Sequence, residues 1–210
     1  MLVTGVFVLF AAGGPRAAAG VGEPLVGGEP APPPAPPVEE ILSRVREANG
    51  AQPPYLRFRQ DVELRAFFLR WRFSSQVVQE GGERRIRVEG APSFVPEDLS
   101  TAVLEASESL DRFSFRLVER TAGLQGEPVY VLEGEPRQAE GGGPEWSRVW
   151  VNGQTWWIDK VEVRYPWGTL TVEQRFTQVQ GYRLLAEQQA TLGSGGIRLR
   201  ILYRDYGFGP

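Results

Sequence analysis

The sequence predicts an α+β domain: a long antiparallel meander of about ten strands, one helix ahead of it and a second helix inserted after the third strand. Three observations lead there. Residues 38–50 carry apolar side chains at helical spacing. From Tyr55 onward the apolar period changes to two. Turn signals then recur at short intervals almost to the C-terminus.

The first helix is read from VEEILSRVREANG. Val38, Ile41, Leu42, Val45 and Ala48 fall on one stripe, the spacing that lets a helix bury one side. Glu39 and Glu40 sit in its first turn, where the helix dipole favours negative charge, and Gly50 supplies a stop. Pro53-Pro54 then forces an extended exit.

The strands follow. In YLRFRQDVEL, Leu56, Phe58, Val62 and Leu64 alternate with Arg57, Arg59, Asp61 and Glu63. In FFLRWRFSSQVV, Phe67, Leu69, Trp71 and Phe73 alternate with Arg70, Arg72 and Ser74. Such alternation marks antiparallel strands with one solvated face. A short strand, Arg84–Glu89, comes next. PEDLSTAVLEASESLDRF interrupts the series with Leu99, Val103, Ala106 and Leu110 at helical spacing and Pro96 in the first turn. Strands are expected again over 112–120, 127–135, 145–151, 154–165, 168–179, 182–192 and 196–206, separated by GLQGEP, EGGGPE, NG, PWG, QGY and GSGG.

The stretch VWVNGQTWWIDKVEVRY holds three of the six tryptophans. Asn152-Gly153 between two β runs predicts a two-residue hairpin turn. That turn would put Val149, Val151, Trp156 and Ile158 on one face and Trp146, Arg148, Trp150, Trp157 and Asp159 on the other, with Arg148 stacked on Trp157 and near Asp159. Beyond Ile158 the apolar side switches to Val161, Val163 and Tyr165. Either a bulge near Asp159-Lys160 or a change in the covered face of a bent sheet accounts for this.

Composition limits the chemistry. The 210 residues are 41% hydrophobic and 23% charged, with a formal net charge of -3. No global basic field is present to recruit nucleic acid. The absence of Cys and His removes thiolate nucleophiles, imidazole bases and the metal sites built from them. Lys160 is the single lysine. Paired carboxylates, Glu97 with Asp98 or Asp159 with Glu162, are the remaining route to catalysis, and they read better as helix first-turn and strand-surface charges. The expectation is a non-enzymatic protein without cofactor or metal.

The N-terminal segment predicts export. MLVTGVFVLFAA is apolar and Ala17-Ala18-Ala19 offers a cleavage pattern, so residues 1–19 read as a signal peptide, although no Lys or Arg precedes the apolar run. Residues 20–37, with seven prolines and four glycines, read as a linker. The folded domain is expected over 38–208.

Nearly every strand offers large apolar residues to one face, more than two helices of about three turns can cover. Such a sheet must close, pack on a second sheet, or curl around the helices and leave a hollow. The stretches EILSRVREANG, LRFRQDVEL, RRIRVEG, YVLEGEP, WSRVWVNGQTWWIDKVEV and LRILYRDYGFG, in this order, resemble the outer-membrane lipoprotein-sorting superfamily. That superfamily includes the LolA and LolB carriers and the N-terminal part of the RseB/MucB sensors. The resemblance spans about residues 38–208 and implies a strongly curved, unclosed half-barrel lidded by two helices, whose members hold acyl chains or amphipathic peptides.

The functional expectation is an exported, periplasmic or cell-surface monomer holding a lipid or lipoprotein acyl chain. Its lining would come from Phe58, Val62, Leu69, Trp71, Phe73, Phe113, Phe115, Leu117 and Val131, with Leu99, Val103 and Leu110 from the lid. The alternative is an envelope sensor domain that binds a protein partner. Peripheral membrane contact would use an arginine face: Arg57, Arg59, Arg70, Arg72, Arg84, Arg85 and Arg87. The same residues would equally serve as a solvated strand surface paired with Asp61, Glu63 or Glu89.

Overall fold

A computed structural model describes residues 34–50, 53–81, 83–90, 110–138, 143–193 and 196–209. The expected signal peptide and most of the expected linker lie outside these residues. So does nearly all of the second expected helix, including Leu99 and Val103. Ala35–Pro210 form one compact unit.

Helix α1 spans Val38–Gly50. The Pro37 carbonyl accepts the first helical hydrogen bond, from the Ile41 amide at 3.1 Å. Arg44 pairs with Glu40 one turn away. Ten strands follow: β1 Tyr55–Ala66, β2 Leu69–Glu80, β3 Glu83–Glu89, β4 Phe113–Ala122, β5 Pro128–Pro136, β6 Trp146–Asn152, β7 Ile158–Tyr165, β8 Gly168–Val179, β9 Tyr182–Leu192 and β10 Ile197–Gly207. A 3-10 turn, Leu110–Arg112, leads into β4. All pairings are antiparallel, and the order across the sheet is β3-β2-β1-β10-β9-β8-β7-β6-β5-β4. The sheet is open: β3 and β4 are its two edges. A meander gives this order because hairpins join neighbours. The single long-range pairing, β1 with β10, joins the first hairpins to the rest.

One face carries α1, and we call it the helix face; the other is the open face. Ile41 and Val45 are fully buried against Tyr130, Leu132, Val149, Val151, Ile158 and Val161, and Leu110 joins the same cluster. The strand parity of these partners fixes the helix face across β5, β6 and β7. A second cluster, Val62, Phe73, Ile201 and Tyr203, lies on the same face of β2, β1 and β10. The expected alternation in β1 holds: Leu56, Phe58, Val62 and Leu64 face the helix side and Arg57, Arg59, Asp61 and Glu63 the open side.

Two local expectations are corrected, and a choice left open by the sequence is decided. Asn152-Gly153 is not a two-residue turn. The loop runs from Gly153 to Trp156, closed by Asn152 donating to the Trp157 carbonyl (2.9 Å) and Trp156 donating to the Asn152 carbonyl (2.7 Å). The Asn152 side chain accepts from the amides of Gln154 and Thr155, an Asx turn that competes with the tighter hairpin. Gly153 is required by close approach, since a Cβ there would sit 2.8 Å from the Pro128 carbonyl oxygen. The two-residue turn with positive φ at both positions is instead Gln180-Gly181.

The switch of apolar side after Ile158 is a bulge. Val151 pairs with Ile158 but Trp150 pairs with Lys160, so Asp159 is the extra residue. Finally, Phe67 does not continue the alternation of β2; Phe67-Phe68 is the β1–β2 turn, with Phe67 at φ 54°. Further bulges interrupt β4, β9 and β10. Each adds local twist.

Candidate ligand-binding face

The twelve expected lining residues divide. Leu110, Phe115 and Leu117 belong to the cluster filled by α1. Phe113 is buried beside Phe115, ring centroids 5.9 Å apart. Phe58, Val62 and Phe73 belong to the second cluster. Trp71 shares their face and is half-buried, while Leu69 is 46% exposed at the end of the hairpin. Val131 is buried, but it pairs with Trp150 on the open face and so lines nothing on the helix side. The run PVYVLEGE is apolar at both parities, which is why its face could not be read from alternation. Leu99 and Val103 lie outside the described residues.

The second cluster differs from the first in what packs on it. Among the described residues, only strand side chains do: Phe58, Val88, Leu185, Leu199 and Tyr206. Phe58 is central, its ring 5.8 Å from Tyr203 and 5.6 Å from Tyr206.

A polar belt crosses this apolar face, and sequence reasoning missed it. Ser75, Gln60, Tyr203, Gln188 and Gln174 lie on adjacent strands β2, β1, β10, β9 and β8, all buried. Ser75 donates to Gln60 Oε1 at 2.6 Å, and the Tyr203 hydroxyl donates to Gln188 Oε1. The Nε2 atoms of Gln174 and Gln188 have no hydrogen-bond partner among the described residues. A buried amide donor left unpaired costs about 1–3 kcal/mol. The signal was present as polar residues at apolar parity within strand periods: Gln60 between Phe58 and Val62, and Ser75 between Phe73 and Val77.

The tryptophans of the β6–β7 hairpin serve three environments. Trp156 stacks on Tyr130 (5.8 Å) and under the Arg44 guanidinium of α1 (4.6 Å). Trp157 contacts Phe176 (5.4 Å) and lies under Arg183, whose side chain also bonds Asn49 at the end of α1. Trp150 is on the open face beneath Lys160 (4.4 Å). Arg148 stacks on Trp146 rather than Trp157, and it donates to Glu133 (2.6 Å) rather than approaching Asp159. Burial raises the Asp159 carboxyl above its ordinary range. Glu162 is paired with Lys160 at 2.8 Å.

On the open face Arg59, Arg65, Arg70, Arg72, Arg85 and Arg87 are paired as strand-surface charges. Glu63 receives Arg65, Arg70 and Arg72, and these bonds, Arg70's first, lower its carboxyl to about 2. Arg59 pairs with Asp61 at 2.9 Å. Arg84 falls on the opposite face from Arg85 and Arg87. Two depressions, of about 570 and 400 Å³, lie around this arginine-rich surface. No cluster of carboxylates among the described residues has metal-binding geometry.

An open ten-strand meander with its helix laid on one face is the geometry seen in known folds. It aligns with a LolA superfamily protein from Nitrosomonas europaea at TM-score 0.56 and 15% identity, covering 84% of this chain and 95% of that one. The chain has the LolA-type fold. A DUF1329 family protein from Desulfovibrio piger gives TM-score 0.62 at 11% identity, with 83% and 94% covered. An outer membrane lipoprotein-sorting protein domain from Vibrio parahaemolyticus gives 0.56 at 14%, with 80% and 91% covered. No family model matches the sequence, and no curated protein matches it. The LolA-type resemblance seen in the sequence is therefore a likeness of fold.

Proposed function

We propose that this LolA-type domain is an exported, non-enzymatic binding protein that holds an amphipathic ligand, an acyl chain with an oxygen-bearing head, on the helix face from β2 across β1, β10 and β9 to β8. One observation carries the reading: a large apolar surface interrupted by buried, unpaired amide donors at Gln174 and Gln188. An apolar core alone has no use for such donors. An ester or carboxyl oxygen among them would remove their desolvation cost, while each methylene laid on the half-buried Phe58 and Trp71 adds about 0.8 kcal/mol. The fold neighbours support a carrier-type role, and the apolar N-terminal run supports export.

The test is uptake of a fluorescent fatty acid, with native mass spectrometry of the exported protein to identify any co-purified lipid. Saturable uptake that Trp71→Glu abolishes, with the far-ultraviolet spectrum unchanged, supports the proposal. A protein that is lipid-free when purified and takes up neither fatty acid nor phospholipid refutes it.

A further inference from the structure

Three hairpin connections meet at one end of the sheet, because β1–β2, β9–β10 and β7–β8 are adjacent pairs with the same direction. Their contacts confirm this proximity. The Phe67 amide donates to the Gly196 carbonyl at 2.9 Å, and the Gly193 amide donates to the Thr169 carbonyl at 2.8 Å. This end is aromatic and exposed. Phe67 is 83% exposed, Phe68 92% and Trp167 61%. Trp167 is held by stacking on Tyr165, centroids 4.6 Å apart.

The β1–β2 turn makes a poor place for two phenylalanines by any folding criterion. A two-residue hairpin favours Gly, Asn or Asp where φ is positive, yet Phe67 occupies φ 54°. Neither ring gains burial in return. Strained bulky residues that stay exposed are features from which function is inferred.

Immediately behind the aromatic tip, on the open face, Arg65 pairs across β1 with both Arg70 and Arg198. Three like charges thus stand in one row on adjacent strands, an arrangement that destabilises a sheet unless anions neutralise it. Glu63, one row deeper, already serves Arg65, Arg70 and Arg72. Arg198 has no carboxylate partner among the described residues. Arg200, in the second row, is engaged by Glu187 at 2.7 Å. The depression lined by these five arginines holds Glu63 as its one carboxylate.

Exposed aromatic tips with a cationic row directly behind them match a lipid bilayer in both layers: rings at the acyl boundary and guanidinium groups at the phosphates. We propose that the Phe67-Phe68 and Trp167 tips, backed by Arg65, Arg70 and Arg198, dock this domain edge-on to an anionic membrane surface. The proposal stands whether or not the helix face holds a ligand.

The chain has no cysteine, so one introduced at a time reports on one place. Phe68→Cys carries an environment-sensitive fluorophore at the tip; Leu124→Cys, in the exposed β4–β5 turn at the other end of the sheet, carries it as a control. The full chain is mixed with phosphatidylcholine vesicles, with and without phosphatidylglycerol. The label at 68 is expected to shift to the blue and to be quenched by lipid-borne quencher only in the anionic vesicles, and the label at 124 to stay unchanged. Phe67→Ser in the labelled background is expected to weaken partitioning about tenfold. Each of Arg65→Gln, Arg70→Gln and Arg198→Gln is expected to weaken it about fivefold, with the circular dichroism spectrum retained. No response at 68, an equal response at 124, equal binding to neutral vesicles, or insensitivity to these substitutions would each overturn the proposal.

Discussion

The two sides of the helix face are built differently. On β4–β7, α1 supplies Ile41 and Val45, and the result is a cluster of side chains with almost no exposure. On β2, β1, β10, β9 and β8, the described packing is strand against strand: aromatic rings at 5.6–5.8 Å around Phe58, and a polar belt whose two amides on β9 and β8 are unpaired among the described residues. The first arrangement maximises burial per residue and suits stability. The second accepts an electrostatic cost in the middle of an apolar surface, which suits recognition. On the proposed function, one sheet divides stability and binding between its halves.

The largest effect that would break this contrast is in α1. Ile41→Ala is expected to cost about 2–5 kcal/mol by chemical denaturation, because no other side chain of α1 can refill its place among Leu132, Val149 and Ile158. Ligand uptake by the fraction that remains folded should change little. If instead Ile41→Ala abolished uptake without destabilising the fold, the halves would not be functionally separate. Phe58→Ala on the other side is expected to cost less, about 1–3 kcal/mol, since its ring is only half-buried; uptake should fall by more than tenfold.

Gln174→Leu sharpens the contrast, because stability and binding should move in opposite directions. Removing an unpaired buried amide is expected to raise stability by about 1 kcal/mol. Binding of an ester or carboxylate ligand should weaken in the same variant. Arg44→Ala removes an exposed ion pair and a stacking contact on Trp156, and a loss of about 0.5–1 kcal/mol is expected.

The last effect is a pH dependence, and it belongs to Glu63. Its folded carboxyl is held at about 2, below the ordinary 4.5. Its contribution to stability is therefore complete above about pH 4.5 and is lost as pH falls toward 2. Wild type and Glu63→Gln should lose stability at different rates in this window, with the variant flatter. Asp159 has the opposite sign: burial raises its carboxyl, so its ionisation opposes folding as pH rises through the acid range, and Asp159→Asn should relieve that penalty. Acid titrations followed by circular dichroism distinguish the two.

Much of the architecture was legible. The stripe of α1, the alternation of β1 and the boundaries of β8 and β9 follow from local periodicity, which is a property of neighbouring residues. Where both parities were apolar, as at Val131, local pattern had no power to choose a face. The Asn152-Gly153 turn was misread because the Asn152 side chain bonds the backbone ahead of it and because Gly153 answers to Pro128, a residue far away in sequence. The Phe67-Phe68 turn was hidden by its composition, since two phenylalanines look like strand.

Local pattern alone establishes the strand and helix periods, the absence of Cys and His chemistry, and the apolar excess of one face. Only the tertiary structure decided which residues share that face, that Gln60, Gln174 and Gln188 align across it, and that the tips bearing Phe67 and Trp167 stand side by side. Periodicity is fixed by bond geometry along the chain, whereas register and bulges depend on contacts between strands, and the pairing of β1 with β10 joins residues more than a hundred positions apart.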